Sequence, residues 1–243
     1  MSLWQDFMTN DQKVIHKFVH YFPIYEKYFS AWRNKSVTFF EIGVARGGSL
    51  QMWQRYFGPL AKIVGVDLNP ACKAHQTPGI FVRIGDQSDH AFLQRIIDEF
   101  GAPDIVVDDG SHQMKHIAST FDFLYRRMHK NAIYLVEDLQ SAYMEEYGGG
   151  MNKSDTFIEI AKRCIDKLYA GYPRLGFQPD MITKETFGIS FYPGVVCFEK
   201  GDVFWRQALK FGAADASGPA AEQQGGAGRL SGVVSGADGS DGL

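Results

Sequence analysis

The chain reads as an α/β protein built on a mostly parallel seven-stranded sheet that closes with a C-terminal antiparallel hairpin, and three observations carry that reading. Short β-branched or aromatic runs alternate with helix-patterned segments from residue 37 to about 139, the rhythm of βαβ units. Acidic residues close several of those runs, as Asp67, Asp108-Asp109 and Glu137-Asp138. Two later apolar runs meet at Tyr192-Pro193-Gly194, a connection too short for anything but antiparallel strands.

Ahead of the sheet, residues 12–32 place Ile15, Phe18, Val19, Phe22, Tyr25, Tyr28, Phe29 and Trp32 at mostly three- and four-residue spacings. That spacing predicts one or two amphipathic helices broken near Pro23, with the aromatics in the core rather than around a ligand. Segment 1–35 is expected to pack on the sheet or to cover its ligand-binding edge. Strands are expected at 37–42, 63–67, 81–84, 105–108 and 132–136, separated by helices at 49–57, 90–100 and 117–128. Right-handed crossovers then bring the strand-to-helix loops to one edge of the sheet. Tyr147 and the run Gly148-Gly149-Gly150 precede a helix at 155–168, and read as a flexible connector or as a flap over a substrate. Segments 181–191 and 195–199 form the closing hairpin, completing a domain over 36–212. The tail at 213–243 is Gly, Ala, Ser and acid with almost no bulky apolar side chains; it cannot offset its ordering entropy and is expected to be disordered.

A formal charge of −3 and 45% hydrophobic content suit an ordinary globular protein without the basic excess of a nucleic-acid binder. Cys72, Cys164 and Cys197 are odd in number, far apart and outside any CxxC pair, so neither a disulfide framework nor a thiolate zinc site is expected, and a reducing cytoplasm fits. Charges at Asp6, Asp11, Lys13 and Lys17 interrupt the start of the chain, which excludes a signal peptide there. No stretch approaches the ~20 apolar residues that cross a bilayer.

Glu41-Ile42-Gly43 ends a strand and Gly47-Gly48-Ser49 leads into a helix, bringing bare backbone and helix N–H groups towards a ligand. A nicotinamide fingerprint needs GxGxxG, and Ala45 stands at its second glycine. S-Adenosylmethionine carries no phosphate, and the ExGxxxG pattern of residues 41–47 is the commoner form for it. Asp67, closing the next strand, suits two ribose hydroxyls; Asp86-Gln87, closing the third, suit an adenine edge. The expected cofactor set is Glu41, Gly43, Gly47, Ser49, Asp67, Asp86, Gln87 and Asp109. Each signal alone has an ordinary reading as a turn or helix cap; their order and spacing favour adenosylmethionine.

Asp108-Asp109, with His112 close behind, and Glu137-Asp138 end two successive strands. Carboxylates converging there beside an imidazole suit a hard, oxygen-loving cation with a base next to it. The competing readings are a turn at Asp109-Gly110, a helix cap at His112 and a solvated turn at Glu137-Asp138, while His116 is expected at the surface or behind the site.

These motifs together, Phe40-Glu41-Ile42-Gly43-Val44-Ala45-Arg46-Gly47-Gly48-Ser49-Leu50, Val66-Asp67, Ile84-Gly85-Asp86-Gln87, Asp108-Asp109-Gly110-Ser111-His112, Val136-Glu137-Asp138-Leu139 and Tyr147-Gly148-Gly149, resemble the catalytic domain of metal-dependent macrolide sugar O-methyltransferases. The likeness spans roughly residues 10–200, and a larger family member carries a further N-terminal domain. The resemblance implies a Rossmann-like class I fold, adenosylmethionine as donor, Mg²⁺ held by Asp109, Glu137 and Asp138, and His112 as general base. It implies a small-molecule hydroxyl acceptor, a sugar or glycoside, and admits a homo-oligomer. Catechol O-methyltransferases use a similar arrangement with lysine in the slot of His112, so a phenolic diol is the alternative acceptor. A non-catalytic adenosylmethionine-binding protein would not need the metal acids.

Overall fold

A computed structural model describes residues 2–203. The tail expected to be disordered, 213–243, lies outside the described residues, as does the last part of the expected central domain. The first helix, α1 (Leu3–Met8), is set by a capping box in which Ser2 and Gln5 bond each other's backbone. The next is α2 (Phe22–Phe29), and residues 10–18 between them contain neither helix nor strand. Pro23 does not break a helix as the spacing suggested. It sits in the first turn of α2, where its missing N–H has no partner to lose.

The sheet follows as β1 (Thr38–Ile42), α3 (Gly48–Phe57), β2 (Lys62–Asp67), β3 (Ile80–Ile84), α4 (His90–Phe100), β4 (Ile105–Asp108), α5 (Met114–Tyr125), β5 (Ile133–Val136), α6 (Phe157–Tyr169), α7 (Met181–Glu185), β6 (Thr186–Tyr192) and β7 (Val195–Lys200). Strand order is β3-β2-β1-β4-β5-β7-β6. The first five strands run parallel; β7 lies antiparallel to β5 and to β6. The expected seven-stranded sheet with its closing hairpin is therefore the observed one. The hairpin's first strand starts later than expected, because Asp180 and Thr183 form a capping box that winds residues 181–185 into α7.

Side chains alternate across the strands. Phe40, Val64, Val106 and Tyr134 face α4, α5 and α6, while Phe39, Ile63, Val107 and Leu135 face α2 and α3. On the second face Trp53 is wholly buried against Tyr25, Phe29 and Phe39. Each such side chain contributes roughly 1.5–3 kcal/mol by leaving water, so α2 is fixed to the sheet and its polar tips acquire fixed positions. The order reverses between β1 and β4, and ligands of open α/β sheets bind outside the carboxyl ends of the strands at that reversal.

Candidate active site

Register alone brings the acids together. Ile42 pairs with Asp108 and Asp108 with Val136, so Gly43, Asp109 and Glu137 leave three neighbouring strands at one level. The ladder continues one step past the strands, with Asp109 N donating to Ile42 O (3.0 Å) and Glu137 N to Asp108 O (2.9 Å). Gly43 has φ +93°, and a Cβ there would stand 2.1 Å from the Asp109 carbonyl oxygen; only glycine lets the two loops approach so closely. Ala45, His112 and Asp138 also adopt left-handed backbone, at φ 47°, 56° and 53°, a cost that concentrates at functional sites.

The floor of the resulting cleft brings three of the candidate site residues together. Ligand atoms of Asp109, His112 and Asp138 lie within 4.8 Å of one another. His112 Nε2 is 4.0 Å from Asp109 Oδ1 and 3.9 Å from Asp138 Oδ2, and its buried Nδ1 has no hydrogen-bond partner among the described residues. Glu137 lies beside this group rather than in it. Its Oε2 accepts from Lys17 Nζ (2.8 Å) and its Oε1 from Tyr25 OH (2.6 Å). Lys17 Nζ also donates to Asp109 Oδ2 at 2.6 Å and stands 3.5 Å from Glu41 Oε1. Burial works against the ammonium form of Lys17, but Asp109 and Glu137 more than reverse it and hold its pKa well above the usual value. Burial raises the Glu137 carboxyl, with Lys17 the chief opposing influence.

Asp108 faces inward. It accepts from Tyr134 OH (3.1 Å) and Gln87 Nε2 (3.2 Å), and burial pushes it up to about 7 against those two donors. Asp108 thus braces the β4 loop from below. Gln87, expected at an adenine edge, spends its amide on the same brace: Nε2 reaches Asp108 and Thr120, and Oε1 accepts from Ser111 N at 2.9 Å. His116 lines this same side of the site beside Gln87, with Nδ1 3.0 Å from Ser111 Oγ.

The glycine loop lines a cleft of about 580 Å³, together with Asp67, Asp109, His112 and Asp138. A second cavity of about 300 Å³ shares Gly43, Asp67 and Gly110 with it and extends to Asp86 and Gln87. Asp67 accepts from Val44 N (2.9 Å), Ala45 N (3.0 Å) and Asn69 N (2.8 Å). Burial opposes its ionisation, yet these backbone donors hold its pKa below the ordinary value. Asp86 closes its own turn through Ser88 N and Oγ. Glu41, expected at the cofactor, is wholly buried beneath the cleft, accepting from Ser49 Oγ (2.7 Å) and Trp53 Nε1 (3.0 Å). It secures the start of α3 instead of lining the cavity, and Ser49, which does line it, gives its hydroxyl to Glu41.

Lys17, Tyr21 and Tyr25 escape sequence reasoning. Tyr21 OH donates to Asp138 Oδ1 at 2.8 Å, so two aromatics with core spacing have hydroxyls that reach the acids. The available signal was their identity as tyrosines in a buried stripe, since a buried hydroxyl needs a partner. Lys17 stands on no regular element and left no pattern to read.

The parallel sheet, its antiparallel end, the glycine loop before α3 and the acid-rich carboxyl edge define a Rossmann-like methyltransferase fold. The chain belongs to the FtsJ-like methyltransferase family, which it matches over residues 23–158. It is 37% identical to the 8-demethyl-8-alpha-L-rhamnosyl tetracenomycin-C 2'-O-methyltransferase of Streptomyces olivaceus, over 74% of this chain and 50% of that protein. It is 33% identical to the mycinamicin VI 2''-O-methyltransferase of Micromonospora griseorubida, over 76% of this chain and 49% of that protein. Among solved structures, the MycE methyltransferase of the mycinamycin biosynthetic pathway, in complex with Mg, SAH and mycinamycin VI, matches with a TM-score of 0.71 and 31% identity. That match covers 82% of this chain and 53% of the MycE chain. The chain thus spans about half the length of the relatives it matches.

Proposed function

We propose that this protein transfers a methyl group from S-adenosylmethionine to a hydroxyl of a sugar borne by a glycosylated small molecule, with Mg²⁺ at the strand-end acids. The observation that carries the reading is that Asp109, His112 and Asp138 converge on the floor of the same cleft that the glycine loop lines. The relatives' reactions support it, since the tetracenomycin and mycinamicin enzymes are sugar O-methyltransferases by name. MycE, with Mg and SAH bound, supports the two cofactors.

The donor set fits a hard cation: carboxylate oxygens dominate it, no thiolate is near, and a protein cation, Lys17, already rests on Asp109 and Glu137. Asp109, Asp138 and, once released from Lys17, Glu137 would hold the ion. When bound, Mg²⁺ supplies positive charge that orients neighbouring acceptor hydroxyls and eases loss of a proton. The rest belongs to the chain. The loop from Gly43 to Gly48 and Asp67 seat the donor, and the Asp86–Gln87 cavity suits its purine. His112 takes the acceptor's proton. Fixed positions for donor and acceptor supply much of the rate, because the oxygen must meet the methyl carbon opposite the departing sulfur. That sulfur leaves as a neutral thioether, so no acid is required behind it. A cytoplasmic setting suits the three buried free cysteines.

The test is a product-mass screen of glycosides and phenolic diols with adenosylmethionine and Mg²⁺. A gain of one CH₂ on a glycoside, suppressed by chelation and restored by Mg²⁺, is expected. Methylation of the phenols alone would move the assignment to a catechol-type acceptor, and no methylated product from either class would reject it.

A further inference from the structure

Lys17 stands where a divalent ion on Asp109 and Glu137 would stand. Its Nζ is 2.6 Å from Asp109 Oδ2 and 2.8 Å from Glu137 Oε2, and its side chain is 3% exposed. Mg²⁺ bonds carboxylate oxygens at about 2.0–2.1 Å. An ion so bonded to those two oxygens and an ammonium in hydrogen-bond contact with both would be forced together with like charge.

The strap that carries Lys17 can leave without unfolding an element. Residues 10–18 contain neither helix nor strand. On one side α1 is held by Asp6, whose two oxygens accept from Arg55 at 2.8 and 2.7 Å. On the other side stands the turn Val19–Tyr21, whose Tyr21 holds Asp138. The strap crosses the start of α3, where a Cβ on Gly48 would come within 2.2 Å of the Val14 carbonyl oxygen. Val14, His16 and Lys17 line the donor cleft together with Ala45 and Asp67. Whatever moves Lys17 therefore moves one wall of the cavity assigned to the donor.

We infer that Lys17 is a tethered cation that occupies the Asp109–Glu137 position in the metal-free protein and is exchanged for the divalent ion, so that metal binding re-seats strap 10–18 over the donor cleft. The inference rests on the Mg²⁺ reading above. Exchange has two thermodynamic consequences. The lysine-bound population lowers the apparent metal affinity by the fraction of molecules in which the seat is free. Because the strap lines the donor cleft, the affinities for metal and donor change one another by the same factor.

Isothermal titration with Mg²⁺ alone, on the wild-type chain and Lys17→Met, tests the first consequence, and about tenfold or greater tightening in the variant is expected. Should uncompensated acids leave Lys17→Met poorly folded, its melting temperature is expected to rise more with Mg²⁺ than that of the wild type. Lysine acetylation followed by peptide mass spectrometry reads the exchange in the wild-type protein itself. Lys17 is expected to be protected without metal and to react several-fold faster at saturating Mg²⁺, with exposed Lys35 as the internal reference. If both proteins bind Mg²⁺ equally and Lys17 stays protected, the exchange is wrong while the metal reading survives, the ion then using the Asp109, His112 and Asp138 atoms alone. If neither binds Mg²⁺, both readings fall.

Discussion

Tyr21 and Asp138 hold each other twice: the Tyr21 hydroxyl donates to Asp138 Oδ1 at 2.8 Å, and Asp138 N donates back to the same hydroxyl at 3.3 Å. Asp138 has left-handed backbone, so the tyrosine fixes both the strained residue and the direction of its carboxylate. A residue before the sheet thereby orients an acid at the end of β5.

Tyr21→Phe keeps the ring packing and removes both bonds. Outer partners of metal ligands typically matter about 10–100-fold in affinity or activity, and a loss in that range of Mg²⁺ affinity is expected by calorimetry. Unchanged affinity would show that Asp138 does not need the tyrosine.

His112→Asn is the sharper test of the base, because asparagine tolerates the left-handed backbone at φ 56° that alanine resists. Turnover is expected to fall about 10²–10⁴-fold, with adenosylmethionine affinity nearly unchanged. Retained turnover removes His112 from the chemistry.

Gly43→Ala and Gly101→Ala separate backbone strain from collision. Both residues have positive φ, +93° and +92°; the added Cβ meets Asp109 O at 2.1 Å in the first and nothing within 4 Å in the second. Gly101→Ala is expected to cost about 1–3 kcal/mol. Gly43→Ala is expected to cost well beyond that and to lose donor binding, as read by denaturant titration and calorimetry. Equal costs would mean that the two loops yield easily.

Asp67 predicts the pH dependence. Its carboxyl is held below the ordinary 3.8, so the unfolded chain takes up the proton first as pH falls. Its stabilising contribution is complete above that ordinary value and is lost as pH drops through the lower, folded one. The stability gap between wild type and Asp67→Asn, about 1–3 kcal/mol at neutral pH for bonds to a charged group, is expected to narrow on acidification below pH ~4. Melting curves across that range check it; a gap that widens there contradicts the assigned direction.

The strands were legible because buried parallel strands must be apolar runs and their loops must be glycine or acid. Hence 105–108 and Asp109 could be placed without coordinates. The hairpin end was less so, since Asp180 and Thr183 cap a turn of helix that β-like composition hides. Among the candidate site residues, Asp109, His112 and Asp138 come together, Glu137 is held beside them by Lys17 and Tyr25, and Glu41 lies beneath the cleft with its oxygens turned to Ser49 and Trp53. Where a strand-end acid points depends on the donors packed behind it, here Ser49 and Trp53 for Glu41.

The sequence by itself determined the sheet, the level at which the acids leave it and the glycines that let two loops touch, because strand periodicity and backbone sterics are local properties. Only the tertiary structure decided which charges neutralise one another. Lys17 meets Asp109 and Glu137 across 92 and 120 residues of chain, and no local pattern records a pairing that exists only once α2 has packed its aromatics against the sheet.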